Sequence, residues 1–296
     1  MVDKPDNRND CTLRYPMHMS NEITLQDHNW SSGQRCLNAP AMLLAAGRGE
    51  RMRPLTDSVP KPLLKVRGKP LMFWHAEALA KAGCPKVVVN TAWLGQQIEQ
   101  TMGNALVLKQ NEPQSGKAAS MPIAYSHEAI DFGRALETAG GIARALPLLA
   151  DEVFWVVAGD VFMPGFTFDS KSVTQFKQSG MLAHIWLVPN PEHNLKGDFG
   201  LDLNALPPLA QNLTEDTTLP RYTYSTIGLY RKELFGVPWC DIEPGNPKGV
   251  SALLAPLLRA AMRDGCVSAE LYDGEWTDVG TPERLAKLNV DNSEMN

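Results

Sequence analysis

The chain has 296 residues, 44% of them hydrophobic, and a formal net charge of −5. That supports one large α/β domain or two smaller ones, and the acidic balance argues against a nucleic-acid footprint. Five scattered cysteines form no CxxC pair. This suits reduced thiols better than a disulfide framework or a zinc site. No apolar run reaches a membrane span, so a cytoplasmic protein with no membrane partner is expected.

Residues 1–38 are rich in Asn, Asp, Ser and Gln and read as a disordered N-terminal extension. From Pro40 onward, strands and helices alternate. Residues 41–46 read as a buried strand, 71–82 as a helix, 86–91 as a strand and 94–102 as a helix. Short strands are expected at 105–109 and 123–126, separated by a polar insertion at 111–121. Residues 138–149 read as a helix and 152–158 as another buried strand. This alternation predicts a Rossmann-like α/β fold: a mixed, mostly parallel sheet flanked by helices.

Beyond residue 165 the rhythm changes. Strands are expected at 183–189, 199–203 and 222–230, then a helix at 252–263 and a strand at 271–279. A helix over 281–288 closes the domain, with Thr281 as its N-cap and Pro282 at the first helical position. One domain is thus expected over 39–290, with 291–296 as a tail.

Residues 43–63 read LLAAGRGERMRPLTDSVPKPL. The run is neither a Walker loop nor a dinucleotide fingerprint, since Met52 stands where the latter needs its third glycine. Its chemistry still points to phosphate. Glycines let backbone N–H groups approach phosphate oxygens, Arg51 offers forked hydrogen bonds, and Lys61 offers a compact charge. Asp160 follows the buried strand expected over 152–158, where α/β sheets place their ligands. Asp278 lies just ahead of the last helix. Magnesium needs one or two carboxylates plus phosphate oxygens and waters, and these two acids could supply them if the fold brings them together. The run Glu137-Thr138-Ala139-Gly140-Gly141 opens a helix with small residues.

Together these stretches resemble the signature motifs of the sugar-1-phosphate nucleotidyltransferases, in family order, over about residues 40–290. The resemblance implies a nucleotide-diphospho-sugar transferase fold. It implies nucleotide binding by Ala46, Gly47, Gly49, Glu50, Arg51, Lys61, Ser126, Glu137 and Gly140, with Arg51 and Lys61 catalytic. It implies sugar-phosphate binding by Asn190, His193 and Asp198, and Mg2+ on Asp160 and Asp278. Ala139 stands where the family has glycine, and no Glu-Lys-Pro segment supplies a lysine for the sugar phosphate. Lys196, Arg221 and Lys248 stay open as substitutes.

Residues 90–99 (NTAWLGQQIE), 190–199 and 254–259 resemble the branch that joins UTP to N-acetylmuramic acid 1-phosphate in cell-wall sugar recycling. Branches that transfer guanylyl to mannose 1-phosphate or thymidylyl to glucose 1-phosphate share the loop and both acids. A non-catalytic nucleotide-binding regulator is the reading from another class. UTP and a sugar 1-phosphate are the expected partners, and oligomeric state stays open.

Overall fold

Three runs that are buried at every position but Leu44, Ala41–Leu44, Val87–Thr91 and Val153–Ala158, form the middle of a sheet. They carry too few polar residues to leave a face to water, so helices cover both sides. The computed structural model describes residues 36–108, 120–214 and 216–290. Its main sheet has ten strands. From one edge these are Phe199–Asp202, Leu209–Gln211, Val267–Leu271, Ala183–Val188, Arg221–Arg231, Val153–Ala158, Ala41–Leu44, Val87–Thr91, Ser120–His127 and Ala105–Val107.

Three of these strands, Ala105–Val107, Leu209–Gln211 and Arg221–Arg231, run against the other seven. Because they are interleaved, six pairings are antiparallel and four parallel. The sheet is therefore mostly parallel in strand direction but not in pairing. Helical crossovers supply the parallel half, and loops join the rest.

Two expectations change. The strand expected over 271–279 is broken by the turn-forming pair Asp273-Gly274. Its first part is Val267–Leu271, parallel to Ala183–Val188. Its end, Thr277–Asp278, pairs instead with Val161–Phe162 in a separate two-stranded ribbon. A helix not expected from the sequence covers Ser170–Ser179 and buries only Val173 and Phe176. Its ends are legible afterwards: Asp169 caps it by accepting from Ser172 N at 2.7 Å, and Gly180 ends it in the left-handed conformation.

Leu71–Lys81 packs Met72, Ala76 and Leu79 on one face of the sheet. Glu137–Leu149 and Leu254–Arg263 cover the other through Ile142, Leu146, Leu254 and Leu258. A third cluster holds Met52, Val66, Leu71, Phe162, Val279 and Leu288. It fastens the segment after the glycine loop to the ribbon and to the last helix, Pro282–Val290. Leu37, inside the stretch expected to be a tail, is fully buried, and its N–H donates to Gly83 O at 3.3 Å. Residues 1–35, 109–119 (which include 111–119 of the expected insertion) and 291–296 lie outside the described residues. Ser120 and Met121 open a strand. Among the described residues, Cys36, Cys84 and Cys240 are free thiols.

Candidate active site

The strand Ala41–Leu44 delivers the chain into the glycine loop at its carboxyl end. Gly49 has φ +68, and a Cβ there would sit 3.0 Å from Thr56 Cγ2 and 3.2 Å from Lys61 Cβ. Backbone conformation and space both call for glycine. Thr56 Oγ1 donates to Gly49 O at 2.8 Å and closes the turn. A Cβ on Gly47 would meet nothing within 4 Å, so that side of the loop is open.

Arg48 is held from three sides. It donates to Thr56 O at 2.8 Å and to Asp57 Oδ1 at 3.0 Å, and its guanidinium lies 3.6 Å from the centroid of the Trp93 ring. Trp93 Nε1 donates to the same Thr56 carbonyl at 2.9 Å, and Gln97 Nε2 donates to Ser58 O at 3.0 Å. The 90–99 stretch thus braces the basic loop.

The ribbon brings the two acids together. Asp278 is in register with Val161, and Val279 N donates to Asp160 O at 3.1 Å. Lys61 Nζ lies 2.5 Å from Asp160 Oδ2 and 3.9 Å from Asp278 Oδ1, with its side chain only 9% exposed. On the far side of Asp278, Arg284 Nη1 donates to Asp278 Oδ2 at 3.0 Å and to His193 Nε2 at 2.7 Å. Burial, then the positive charge of Arg284, hold His193 below its ordinary pKa. Arg51 is exposed, and its charge is also felt at His193. Beneath Asp160, His75 is 1% exposed and Nε2 donates to Val161 O at 2.8 Å. Burial pushes its pKa down to about 4.

These elements border a cavity of about 690 Å³. Of the expected residues, Ala46, Gly47, Lys61, Glu137, Asp160 and Asp198 line it. Gly49 shapes the loop from behind. Glu50 is exposed and faces Arg48 and Arg53 at 3.7 and 3.5 Å. His193 and Asp278 meet Arg284 in an ion cluster outside the cavity lining, and Arg51 is absent from that lining too. Ser126 is buried, with no hydrogen-bond partner for its Oγ among the described residues. Gly140 N donates to Ala252 O at 3.1 Å, and a Cβ there would press on Val250 O. Ala139 is fully buried in the core beside Ile142, so its methyl group points into packing and not into the cavity. Asn190 ties a turn, accepting from Thr223 Oγ1 at 2.9 Å and donating to Arg221 O at 2.9 Å. Asp198 accepts from Tyr224 N at 2.8 Å. Lys196, Arg221 and Lys248 are not among the cavity's lining residues.

A buried polar chain under the cavity was not singled out from the sequence. Ala45 N donates to Asn90 Oδ1 at 2.8 Å, Asn90 Nδ2 to Glu128 Oε1 at 2.7 Å, and Leu136 N to Glu128 Oε2 at 2.7 Å. Burial raises the Glu128 pKa, and the bonds from Asn90 and Leu136 pull it back. The available signal was an asparagine at the carboxyl end of a valine strand. Gly141 leaves room for this chain, since a Cβ would reach 2.5 Å from Glu128 Oε1.

Comparison with known proteins shows the family. The chain matches the nucleotidyl transferase family over residues 40–294. It is 44% identical over 257 residues to the N-acetylmuramate alpha-1-phosphate uridylyltransferase of Neisseria meningitidis serogroup B, covering 84% of this chain and 96% of the relative. It is 38% identical over 245 residues to mannose-1-phosphate guanyltransferase beta-A of Xenopus laevis, of whose length it spans 61%. A Bacillus anthracis structure assigned as a glucose-1-phosphate thymidylyltransferase, solved with sucrose, superposes with a TM-score of 0.65 at 17% identity. It covers 87% of this chain and 96% of that one, and at that identity bears on fold alone. The loop, the paired acids and these matches lead to one conclusion: the chain belongs to the nucleotidyl transferase family, as a sugar-1-phosphate nucleotidyltransferase.

Proposed function

We propose that the protein transfers the uridylyl group of UTP to N-acetylmuramic acid 1-phosphate, giving UDP-N-acetylmuramic acid and pyrophosphate. The observation that carries this reading is the 44% identity along nearly the whole length of a uridylyltransferase of that substrate. The joint approach of Lys61 to Asp160 and Asp278 beside the glycine loop supports it. The guanylyl reading is the alternative, favoured by the 38% identity to a mannose-1-phosphate enzyme.

In this reaction a sugar-phosphate oxygen attacks the α-phosphorus of UTP, and the bond to the pyrophosphate oxygen breaks. The nucleophile is already an anion, so no general base is needed. The barrier is largely that of bringing two anions together, and the protein's part is positioning and charge. Backbone N–H groups at Gly47–Gly49 hold the triphosphate, Arg51 receives charge on the departing pyrophosphate, and Lys61 spans the α-phosphate and the incoming phosphate. Asp198 and His193 lie on the sugar side.

The two acids suit a hard divalent cation such as Mg2+. Both offer only oxygen, and one ammonium lies within 3.9 Å of each. Among the described residues no group of three or more His, Cys, Asp and Glu converges on a metal position. A cation on Asp160 and Asp278 would therefore complete its shell with phosphate oxygens and waters. When bound, such an ion neutralises phosphate charge.

No described helix is long and apolar enough to cross a membrane, which is compatible with a cytoplasmic role in cell-wall sugar recycling. The direct test is to incubate the protein with UTP, N-acetylmuramic acid 1-phosphate and Mg2+. UDP-N-acetylmuramic acid should form in step with pyrophosphate. Neither product from folded protein would reject the proposal.

A further inference from the structure

Three cationic side chains line the cavity: Arg48, Lys61 and Arg259. Two are already engaged. Arg48 bonds to Thr56 O and Asp57 and stacks on Trp93. Lys61 lies 2.5 Å from Asp160. Arg259, on the helix Leu254–Arg263, has no hydrogen bond or ion pair among the described residues, and its guanidinium lies 6.0 Å from the Phe199 ring centroid. The nearby carboxylate that lines the cavity, Asp198, is occupied by Tyr224 N and Asn194 Nδ2. Arg259, exposed at the cavity's edge, therefore presents a planar fork of donors with no hydrogen-bond or ion-pair partner among the described residues.

N-acetylmuramic acid 1-phosphate carries two anionic groups. Its phosphate must reach Lys61 and Asp160 to react. Its lactyl carboxylate lies on the sugar ring, away from the phosphate, and needs a cation of its own. N-acetylglucosamine 1-phosphate has the same phosphate and acetamido group but a hydroxyl in place of the lactyl ether. Arginine matches a carboxylate with two parallel hydrogen bonds.

We infer that Arg259 is the specificity-determining residue that binds the lactyl carboxylate, and so sets the preference for an acidic sugar over its neutral counterpart. This rests on the uridylyltransferase reading above. It also gives a role to the 254–259 stretch, which the phosphate chemistry leaves unused.

The test is the ratio of kcat/KM for N-acetylmuramic acid 1-phosphate to that for N-acetylglucosamine 1-phosphate, at saturating UTP and Mg2+. It is measured for wild type, Arg259→Gln and Arg259→Lys. Charge-assisted bonds of this kind correspond to about 10- to 100-fold. The Gln variant should lower the ratio by that factor, and Lys should restore part of it. An unchanged ratio overturns the inference. So does a parallel fall with both sugars, which would mean that Arg259 serves the shared phosphate or the fold. The wild-type row, extended to mannose and glucose 1-phosphates, tests the underlying reading separately: if it favours neither N-acetylated sugar over these two, the assignment to N-acetylmuramic acid 1-phosphate has itself failed, and Arg259 with it. Melting temperature and the KM for UTP, read on the same variants, separate a folding defect from a change in selectivity.

Discussion

Lys61 neutralises, in the free protein, the same two carboxylates that are proposed to hold the cation. Its ammonium is largely shielded from water, so its field acts with little screening. Substrate phosphates and a cation entering the site would release it from Asp160 toward the reacting oxygens. Lys61→Ala should lower kcat by about 100-fold or more at saturating Mg2+, with the fold retained by circular dichroism. Wild-type kinetics in that variant would make the lysine a structural counter-ion. The residue types here were legible: a glycine loop with lysine behind a strand, and Gly-Asp at a strand end, both pointed to residues that line the cavity. The meeting of Asp160 with Asp278 was not, because two-residue strands leave no periodic signal. Ser126 and Gly140 show the opposite limit. Both sit in recognisable motifs, yet one is buried and the other packs against backbone.

Among the elements, the segment from Trp93 to Gln97 has a clear mechanical part. Its residues carried the likeness to the muramyl branch, but Trp93 and Gln97 bond to the backbone of the phosphate loop. Removing the indole forfeits a cation–π contact of about 0.5–2 kcal/mol and a hydrogen bond of about 1 kcal/mol. Trp93→Leu should therefore raise the KM for UTP by roughly 10- to 100-fold, with a smaller change in kcat. Equal UTP affinity in the variant would show that the loop keeps its shape unaided. The strand–helix alternation up to residue 158 was readable because apolar runs there are long and bounded by turns. Ser170–Ser179 was missed because a helix with two buried residues shows almost no apolar stripe. The 271–279 strand was misread because its apolar ends belong to different sheets.

Over the whole molecule, two buried histidines make stability depend on acid. His75 and His184 are both held neutral, with burial lowering each from 6.5 to about 4. Above the unfolded value neither state binds the proton, and their contribution is complete. As pH falls below 6.5 the unfolded chain takes up protons that the folded one refuses until about 4. Stability is therefore lost across that window, by about 3 kcal/mol for each histidine. Urea midpoints from pH 7 to 4 should fall steeply, and His75→Gln, which can still donate to Val161 O, should flatten the slope. An unaltered slope would place the acid sensitivity elsewhere.

The α/β fold class and the family-bearing order of motifs could be read from the chain. The interleaved strands that make most pairings antiparallel could not, since strand direction depends on long-range partners. The central claim is the transfer of uridylyl to an acidic sugar phosphate. The most direct measurement is pyrophosphate release with Mg2+, across UTP, dTTP, GTP and CTP against the 1-phosphates of N-acetylmuramic acid, N-acetylglucosamine, glucose and mannose. The account predicts a maximum at UTP with N-acetylmuramic acid 1-phosphate. A maximum at GTP with mannose 1-phosphate, or no pyrophosphate from folded protein under any pairing, would contradict it.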